Sequence, residues 1–324
     1  MCTAIQYRTK DHYFGRTLDY EISYKETVVI TPRCFPFVFP DGLKIEQHYA
    51  IIGIGCVAED YPLYFDAVNE KGLAMAGLLF DGNAVFQKAE GEKEGIPQYA
   101  FLPWLLSQCA TVTEAERLLQ RCCITDTPFS EALPPSPLHW LLADTERCMT
   151  IEATETGLHL YENTLGVLTN NPPFPFHLQN LAQYRNLTAE APPNRFSAEL
   201  ELPAFSRGMG ALGLPGDLSS PSRFVRAAFV RNNSVSGTGE TESVSQFFHI
   251  LGAVEQQKGC VHLGRGAYER TLYTSCCNQE KGIYYYTTYE NRQITAVGLT
   301  EAAKEGEELL CYPLRTEEMI FFEQ

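Results

Sequence analysis

Short apolar runs rich in β-branched residues fill the first third of the chain. Val28-Val29-Ile30 and Ile51-Ile52-Gly53-Ile54 predict strands. Tyr64–Val68 and Leu73–Phe80 predict two more, and Asn69-Glu70-Lys71-Gly72 between them predicts a hairpin turn closed by glycine. The same pattern returns near the other end: Cys276-Cys277, the polar stretch Asn278–Gly282, then Ile283-Tyr284-Tyr285-Tyr286. Between these hairpins the period becomes helical. Thr111 and Glu114 have capping-box spacing ahead of Ala115, Leu118, Leu119 and Cys122, which share one helical stripe. Ser243 and Gln246 have the same spacing ahead of Phe247, Phe248, Leu251 and Val254. Ser220 followed by Pro221 predicts a third helix start, with Pro221 as its first helical residue. Segments 38–48, 86–98 and 186–219 carry proline, glycine and charge, and read as loops rather than domain linkers. Antiparallel strands interleaved with helices predict a layered α+β fold, with helices outside packed sheets.

Composition narrows the function more than the fold. Of 324 residues, 44% are hydrophobic and 12% aromatic, enough for a sizeable core in one large domain or two small ones. Residues 8–13 are polar where a secretory leader needs an apolar stretch, and no apolar run approaches about 18 residues. A cytoplasmic protein is the simplest expectation. The formal charge of −15 disfavours nucleic acid and anionic membranes as partners. An anionic substrate would need arginines placed locally to receive it. Eleven cysteines make an odd number, and the pairs Cys122-Cys123 and Cys276-Cys277 lack the spacing of zinc or redox sites. Reduced, mostly buried thiols are expected outside Cys2.

Cys2 carries the strongest chemical suggestion. Loss of Met1 would put a thiol and a free α-amine on one carbon, a nucleophile with its own base. Such an amine titrates near ~7.7–8.0, against ~10.4 for lysine. If the chain returns through Lys10-Asp11-His12, Arg16 and Asp19 come back beside Cys2. Asp19 could then orient the amine and Arg16 attract the thiolate, although an ordinary surface pair remains open. Asn170 and Asn171, ahead of Pro172, offer side-chain N–H groups to an oxyanion, or simply end a strand in a polar turn. Arg223 falls in the first turn of its helix, where the macrodipole disfavours a cation. A bound anion or a neighbouring carboxylate would each account for it. Phe35, Phe37, Phe39, Phe174, Phe176 and Tyr284-Tyr285-Tyr286 could wall an apolar pocket or simply pack the core. Nucleotide-binding glycine motifs and H-E-x-x-H are absent, and the seven histidines show no metal-ligand spacing.

Taken together these segments resemble the choloylglycine hydrolase family, which contains conjugated bile salt hydrolases and penicillin V acylases. The resemblance rests on Met1-Cys2-Thr3, Phe14-Gly15-Arg16 through Asp19, Asn69 through Leu73, Leu168 through Pro172, Gly213 through Asp217, Ser222-Arg223-Phe224 and Cys277 through Tyr286. It implies one N-terminal-nucleophile hydrolase domain over residues 2–324, built as a four-layer αββα sandwich, with Met1 removed. Cys2 is then the nucleophile, Arg16 and Asp19 tune and orient it, Asn170 serves the oxyanion, and Arg223 completes the set. The backbone N–H at Leu79 would add a second oxyanion donor, but the family usually has a polar side chain there. By the same resemblance Leu18, Phe65, Phe129 and Leu133 face the steroid of a glycine- or taurine-conjugated bile salt. Acyl transfer to amines is an implied side activity. The implied assembly is a homotetramer, and no metal or cofactor is implied. Penicillin V or acyl-homoserine-lactone cleavage stays open, as does bile-salt binding with weakened catalysis.

Overall fold

Alternation along Thr27–Thr31 shows how the layers form. Val28 and Ile30 join a cluster with Ile52, Ile54, Ala76 and Leu78 that also takes in Ala4, Phe14 and Cys277 from a different sheet. Val29 points the other way, into a second cluster with Ile51, Met75, Phe101 and Trp104. A strand buried on both faces separates two cores, so the architecture has more than two layers.

The computed structural model describes residues 1–39, 44–88 and 93–323. Sheet I runs in the order Val167–Leu168, Cys2–Arg8, His12–Tyr20, Ala267–Asn278, Ile283–Thr288, Thr295–Gly298, with Val261–Gly264 also paired to Ala267–Asn278. Sheet II runs Gly157–Glu162, Cys148–Thr154, Leu138–Ala143, Ala74–Leu79, Tyr61–Asn69, Ile51–Ala58, Thr27–Thr31, Leu310–Pro313. The helices are α1 (Gln98–Gln108), α2 (Val112–Leu119), α3 (Phe174–Leu181), α4 (Ser220–Asn233), α5 (Glu240–Gly252) and the short α6 (Glu301–Lys304). α1 covers the outer face of sheet II, and α4 and α5 cover the outer face of sheet I. The result is a four-layer αββα sandwich, the α+β arrangement expected.

Both anticipated hairpins form, and Gly72 and Gly282 take the positive φ (+89° and +62°) that closes their turns. Thr111 caps α2 by accepting from the Glu114 N–H at 3.1 Å. Cys122 lies beyond that helix, in Cys122–Thr125, which pairs in parallel with Glu94–Pro97. Short strands therefore occupy parts of two segments that read as loops: Glu94–Pro97 in one, Phe37–Val38 and Lys44–Ile45 at the other. The remaining positions of those loops at 40–43 and 89–92 lie outside the described residues. α5 starts earlier than its spacing suggested, at Glu240, with Glu242 accepting from the Gly239 N–H. Ser243 sits inside the helix instead, its hydroxyl 2.7 Å from that of Thr9. α1 left no stripe to read because nine of its eleven residues are buried, a helix apolar on nearly every side. All eleven cysteines are free thiols, six of the ten beyond Cys2 buried.

Gly15 sits in the strand that carries Arg16 and Asp19, and a Cβ there would run into the main chain of Ser275 on the next strand. Neither strand can yield without breaking its ladder. Gly15→Ala should therefore lose about 1–3 kcal/mol of stability, the usual range for overpacking. Urea unfolding with an unchanged slope and a lower midpoint checks this, and an unaltered midpoint refutes it.

Candidate active site

Strand register decides what surrounds Cys2. Cys2 pairs with Leu18, Thr3 with Thr17 and Ala4 with Arg16. Residues directly opposite in an antiparallel pair share a face, and neighbours along a strand alternate. Cys2, Arg16 and Leu18 thus face sheet II, while Thr3, Thr17 and Asp19 face the α4–α5 layer. The anticipated return of the chain beside Cys2 is present, but the pleat divides Arg16 from Asp19.

On the inner face, Arg16 is fully buried. Its Nε donates to Thr17 O at 3.1 Å, and Nη1 donates to Phe65 O at 3.2 Å and to Gly77 O. Nη2 has no partner among the described residues. Burial alone would push this guanidinium down, but the facing Cys2 thiol, Tyr273, Asp66 and Asp19 hold it above its ordinary value. Asp66 reaches in from sheet II and accepts from Tyr273 Oη at 2.6 Å, Ser275 Oγ at 2.8 Å and Tyr284 Oη. Burial pushes its carboxyl up, against the pull of Arg16 and the three hydroxyls.

On the helix-facing side, the Asp19 carboxylate accepts from Thr271 Oγ1 at 2.6 Å and Thr17 Oγ1 at 3.2 Å. Burial raises it, opposed by the terminal ammonium and Arg223. Its contacts with the N-terminus run through main chain: the Met1 amine donates to Asp19 O at 2.8 Å, and Asp19 N–H donates to Met1 O at 3.0 Å. The Met1 ammonium also pairs with the Glu269 carboxylate. The Cys2 nitrogen itself is held by Asn170, donating to Oδ1 at 2.7 Å.

Asn170 is the junction of the site. Oδ1 also accepts from Arg223 Nη2 at 2.7 Å, while Nδ2 donates to Leu79 O at 2.7 Å. Two donors on one atom and a carbonyl on the other fix the amide orientation. Phe80 N–H donates to Pro137 O at 2.7 Å, which turns the Leu79 carbonyl the opposite way across the trans peptide, towards Asn170. Arg223, fully buried, also donates to Thr3 Oγ1 at 2.7 Å, Leu218 O at 3.0 Å and Cys2 O. Among the described residues every acceptor it bonds is an uncharged oxygen, so the expected pairing to a neighbouring carboxylate is not made. Burial lowers its pKa, with Asp19 and Cys2 opposing. Asn171 stands apart, its Nδ2 on Asp81 O at the surface.

Of the residues expected to face a substrate, Leu18 and Phe65 lie at this site, half-buried, with Phe65 5.9 Å from Tyr24. Phe129 and Leu133 form one turn, Phe129 N–H donating to Leu133 O at 3.2 Å. Phe129 packs on Tyr99 and Tyr61, with ring centroids 5.1 and 5.9 Å away.

Known proteins resemble this chain in sequence and fold. A family model for linear amide C–N hydrolases of the choloylglycine hydrolase family matches residues 2–312. The chain belongs to that family. The bile salt hydrolase/transferase of Lactiplantibacillus plantarum is 53% identical over 317 residues, 98% of each chain. That of Clostridium perfringens is 38% identical over 317 residues, 96% of each. A crystal structure of a conjugated bile acid hydrolase mutant from Clostridium perfringens superposes with a TM-score of 0.92 at 37% identity, covering 100% of both chains. Penicillin V acylase from Agrobacterium tumefaciens shares the fold, with a TM-score of 0.78 at 19% identity over 99% of this chain and 94% of that one.

His177 and Ser220, neither read as a site residue in the sequence, also hold the candidate site of this family member. His177 Nε2 donates to Asn170 O at 2.8 Å, and Ser220 Oγ accepts from Asn170 N–H at 2.9 Å. His139 lies 2.8 Å from Thr169 O and 3.1 Å from Glu152, both side chains wholly buried. Asp66 and Glu152 did leave a signal, each a lone acid inside an apolar strand run. His177 has a pKa lowered to about 4 by burial. The unfolded chain takes up this proton near ~6.5, whereas the folded chain resists to about 4. In that window the unfolded state binds more protons, so stability falls as pH falls, by up to about 3 kcal/mol. His177→Gln keeps an N–H for Asn170 O and should flatten the dependence between those pH values. Equal slopes of urea midpoint against pH in both proteins would contradict the assignment.

Proposed function

We propose that the chain hydrolyses glycine- or taurine-conjugated bile salts through a Cys2 acyl-enzyme. The observation that carries the chemistry is the Cys2 nitrogen bound to Asn170 Oδ1 at 2.7 Å, with Arg223 behind that oxygen. Once Met1 is removed, this nitrogen is an α-amine already oriented by an acceptor, beside the thiol it serves. The relatives' bile-salt names supply the substrate class.

In the first step the amine takes the thiol proton and sulfur attacks the amide carbonyl. The resulting oxyanion is received by the Leu79 N–H and the second N–H of Asn170 Nδ2. Arg16, with its unpartnered Nη2, balances negative charge on the inner face. The C–N bond then breaks, and the proton passes from the Cys2 ammonium to the leaving glycine or taurine. Water, deprotonated by the same amine, attacks the thioester and releases the bile acid. Attack by another amine at this stage gives transfer instead. Leu18, Phe65, Phe129 and Leu133 offer the apolar surface a sterol needs.

We further propose a single domain over residues 2–324, working in the cytoplasm as a homotetramer. Among the described residues no helix is long and apolar enough to cross a membrane. Phe196 and Phe205, each 84% exposed in the 186–219 excursion, suit a contact between subunits.

Intact mass of purified protein should show loss of Met1, and full retention in active protein would sink the amine-base mechanism. Cys2→Ala should lower turnover of taurocholate and glycocholate by at least about a thousandfold. Faster turnover of penicillin V than of either conjugate would reassign the substrate. At Leu79 the main chain meets Asn170, so Leu79→Asn should change kcat/KM by no more than about tenfold, the value of one hydrogen bond. A larger change would give the side chain a part in the chemistry.

A further inference from the structure

A cavity lies behind the site, on the opposite face of sheet I. It measures about 430 Å³ and lies between α5 and the helix-facing side of the strands Ala267–Asn278 and Ile283–Thr288. Thr271 pairs with Asp19 and Thr274 with Thr17, so both share the face of Thr3, across the sheet from the Cys2 thiol.

Gln256 is the unusual residue of this wall. It is 1% exposed, yet among the described residues neither Nε2 nor Oε1 has a partner. Thr274 is equally buried, and its Oγ1 has no partner among the described residues either. Buried polar atoms left unpaired are costly, so three in one cavity wall call for an occupant that bonds them. The charges define its shape. Glu255 lies deeper, 22% exposed, and Arg292 stands at the mouth, 79% exposed, 3.1 Å from the Glu255 carboxylate. A cationic end is favoured inside, against Glu255, Gln256 Oε1 and Thr274 Oγ1, with Asp19 beyond. An anionic end is favoured outside, on Arg292. Phe248 and Ile294 add apolar wall for a side chain.

We propose that this cavity is a binding site for a free zwitterionic amino acid or aminosulfonate, ammonium inward and acid group at Arg292. One hydroxyl links the cavity to Asp19. Thr271 Oγ1 donates to Asp19 Oδ1 at 2.6 Å and accepts from Gln256 N–H at 2.8 Å, and Thr271 N–H donates to Gln256 O at 3.0 Å. An occupant bonded to Gln256 therefore sits two residues from the Asp19 carboxylate. Binding itself does not rest on the bile-salt reading, because nothing in the test requires turnover.

The test is calorimetric titration of the full chain with taurine, glycine, phenylalanine and N-acetylglycine. Saturable binding of at least one of the three zwitterions is expected, with Kd at or below about 1 mM. N-acetylglycine, which lacks the ammonium, should fail. Gln256→Leu and Thr274→Val should each weaken binding by about tenfold or more, as expected for lost hydrogen bonds. Both should keep or raise the unfolding midpoint, because unpaired polar atoms are removed at nearly constant volume, so lost binding cannot be ascribed to misfolding. No saturable binding of any zwitterion, equal binding of N-acetylglycine, or unchanged affinity in both variants would overturn the proposal. The last result would place any bound amino acid elsewhere, including at Cys2.

Discussion

A buried guanidinium without a carboxylate bonded to it holds the N-terminus in place. Arg223 donates to Cys2 O, Thr3 Oγ1, Asn170 Oδ1 and Leu218 O, and so ties strand Cys2–Arg8, the Leu168–Asn171 segment and α4 at one point. Desolvating that charge is expensive, and uncharged acceptors recover only part of the cost. Asp19 supplies opposite charge through space without a direct bond. A direct carboxylate partner would have been better for stability. It would also have occupied donors that here fix the Asn170 amide and, through it, the Cys2 nitrogen. The arrangement favours position over stability, as expected at a functional centre.

The pleat then divides the work. Everything that meets the Cys2 side chain lies on the inner face, where Arg16 and Asp66 face each other across the sheets. The main chain of residues 1–3 is held instead by the ladder to His12–Tyr20, by Thr17 and Arg223 on the outer face, and by Asn170. Groups on opposite faces of one sheet can be a few ångströms apart yet solvated, charged and accessible in different ways. The two arginines illustrate this. Arg16, among anionic neighbours, is pushed up, while Arg223, among neutral oxygens, is pushed down.

Much of this was legible beforehand, for identifiable reasons. The hairpins around Gly72 and Gly282 were readable because turn chemistry is local. The return of Arg16 and Asp19 beside Cys2 followed from a three-residue turn and needed no tertiary knowledge. What failed did so where burial erases periodicity, as in α1, or where two spacings compete, as at Glu240 and Ser243. The supports of Asn170 were illegible for a different reason. His177 lies seven residues from it, but Ser220, Arg223 and Leu79 come from other elements, and no spacing in the chain marks them as neighbours. A sequence can announce a nucleophile, because that role depends on residue type. It rarely announces the residues that aim one.

Asp19 shows how far that distinction goes. Its residue type suggested a carboxylate bonded directly to the terminal amine. Its place in the pleat instead turns the carboxylate to Thr17 and Thr271, and offers the N-terminus its main chain. A carboxylate in that position acts on the amine through the field rather than through a hydrogen bond. The field at close range in a buried site is strong, since little water screens it. It is also adjustable, because anything that alters the hydrogen bonds of Thr271 alters the charge that Asp19 presents. With Met1 removed, the Cys2 amine would thus be oriented by Asn170 and biased electrostatically by Asp19. Separating those tasks lets the geometry stay rigid while the electrostatics remain open to the chemistry of the outer face.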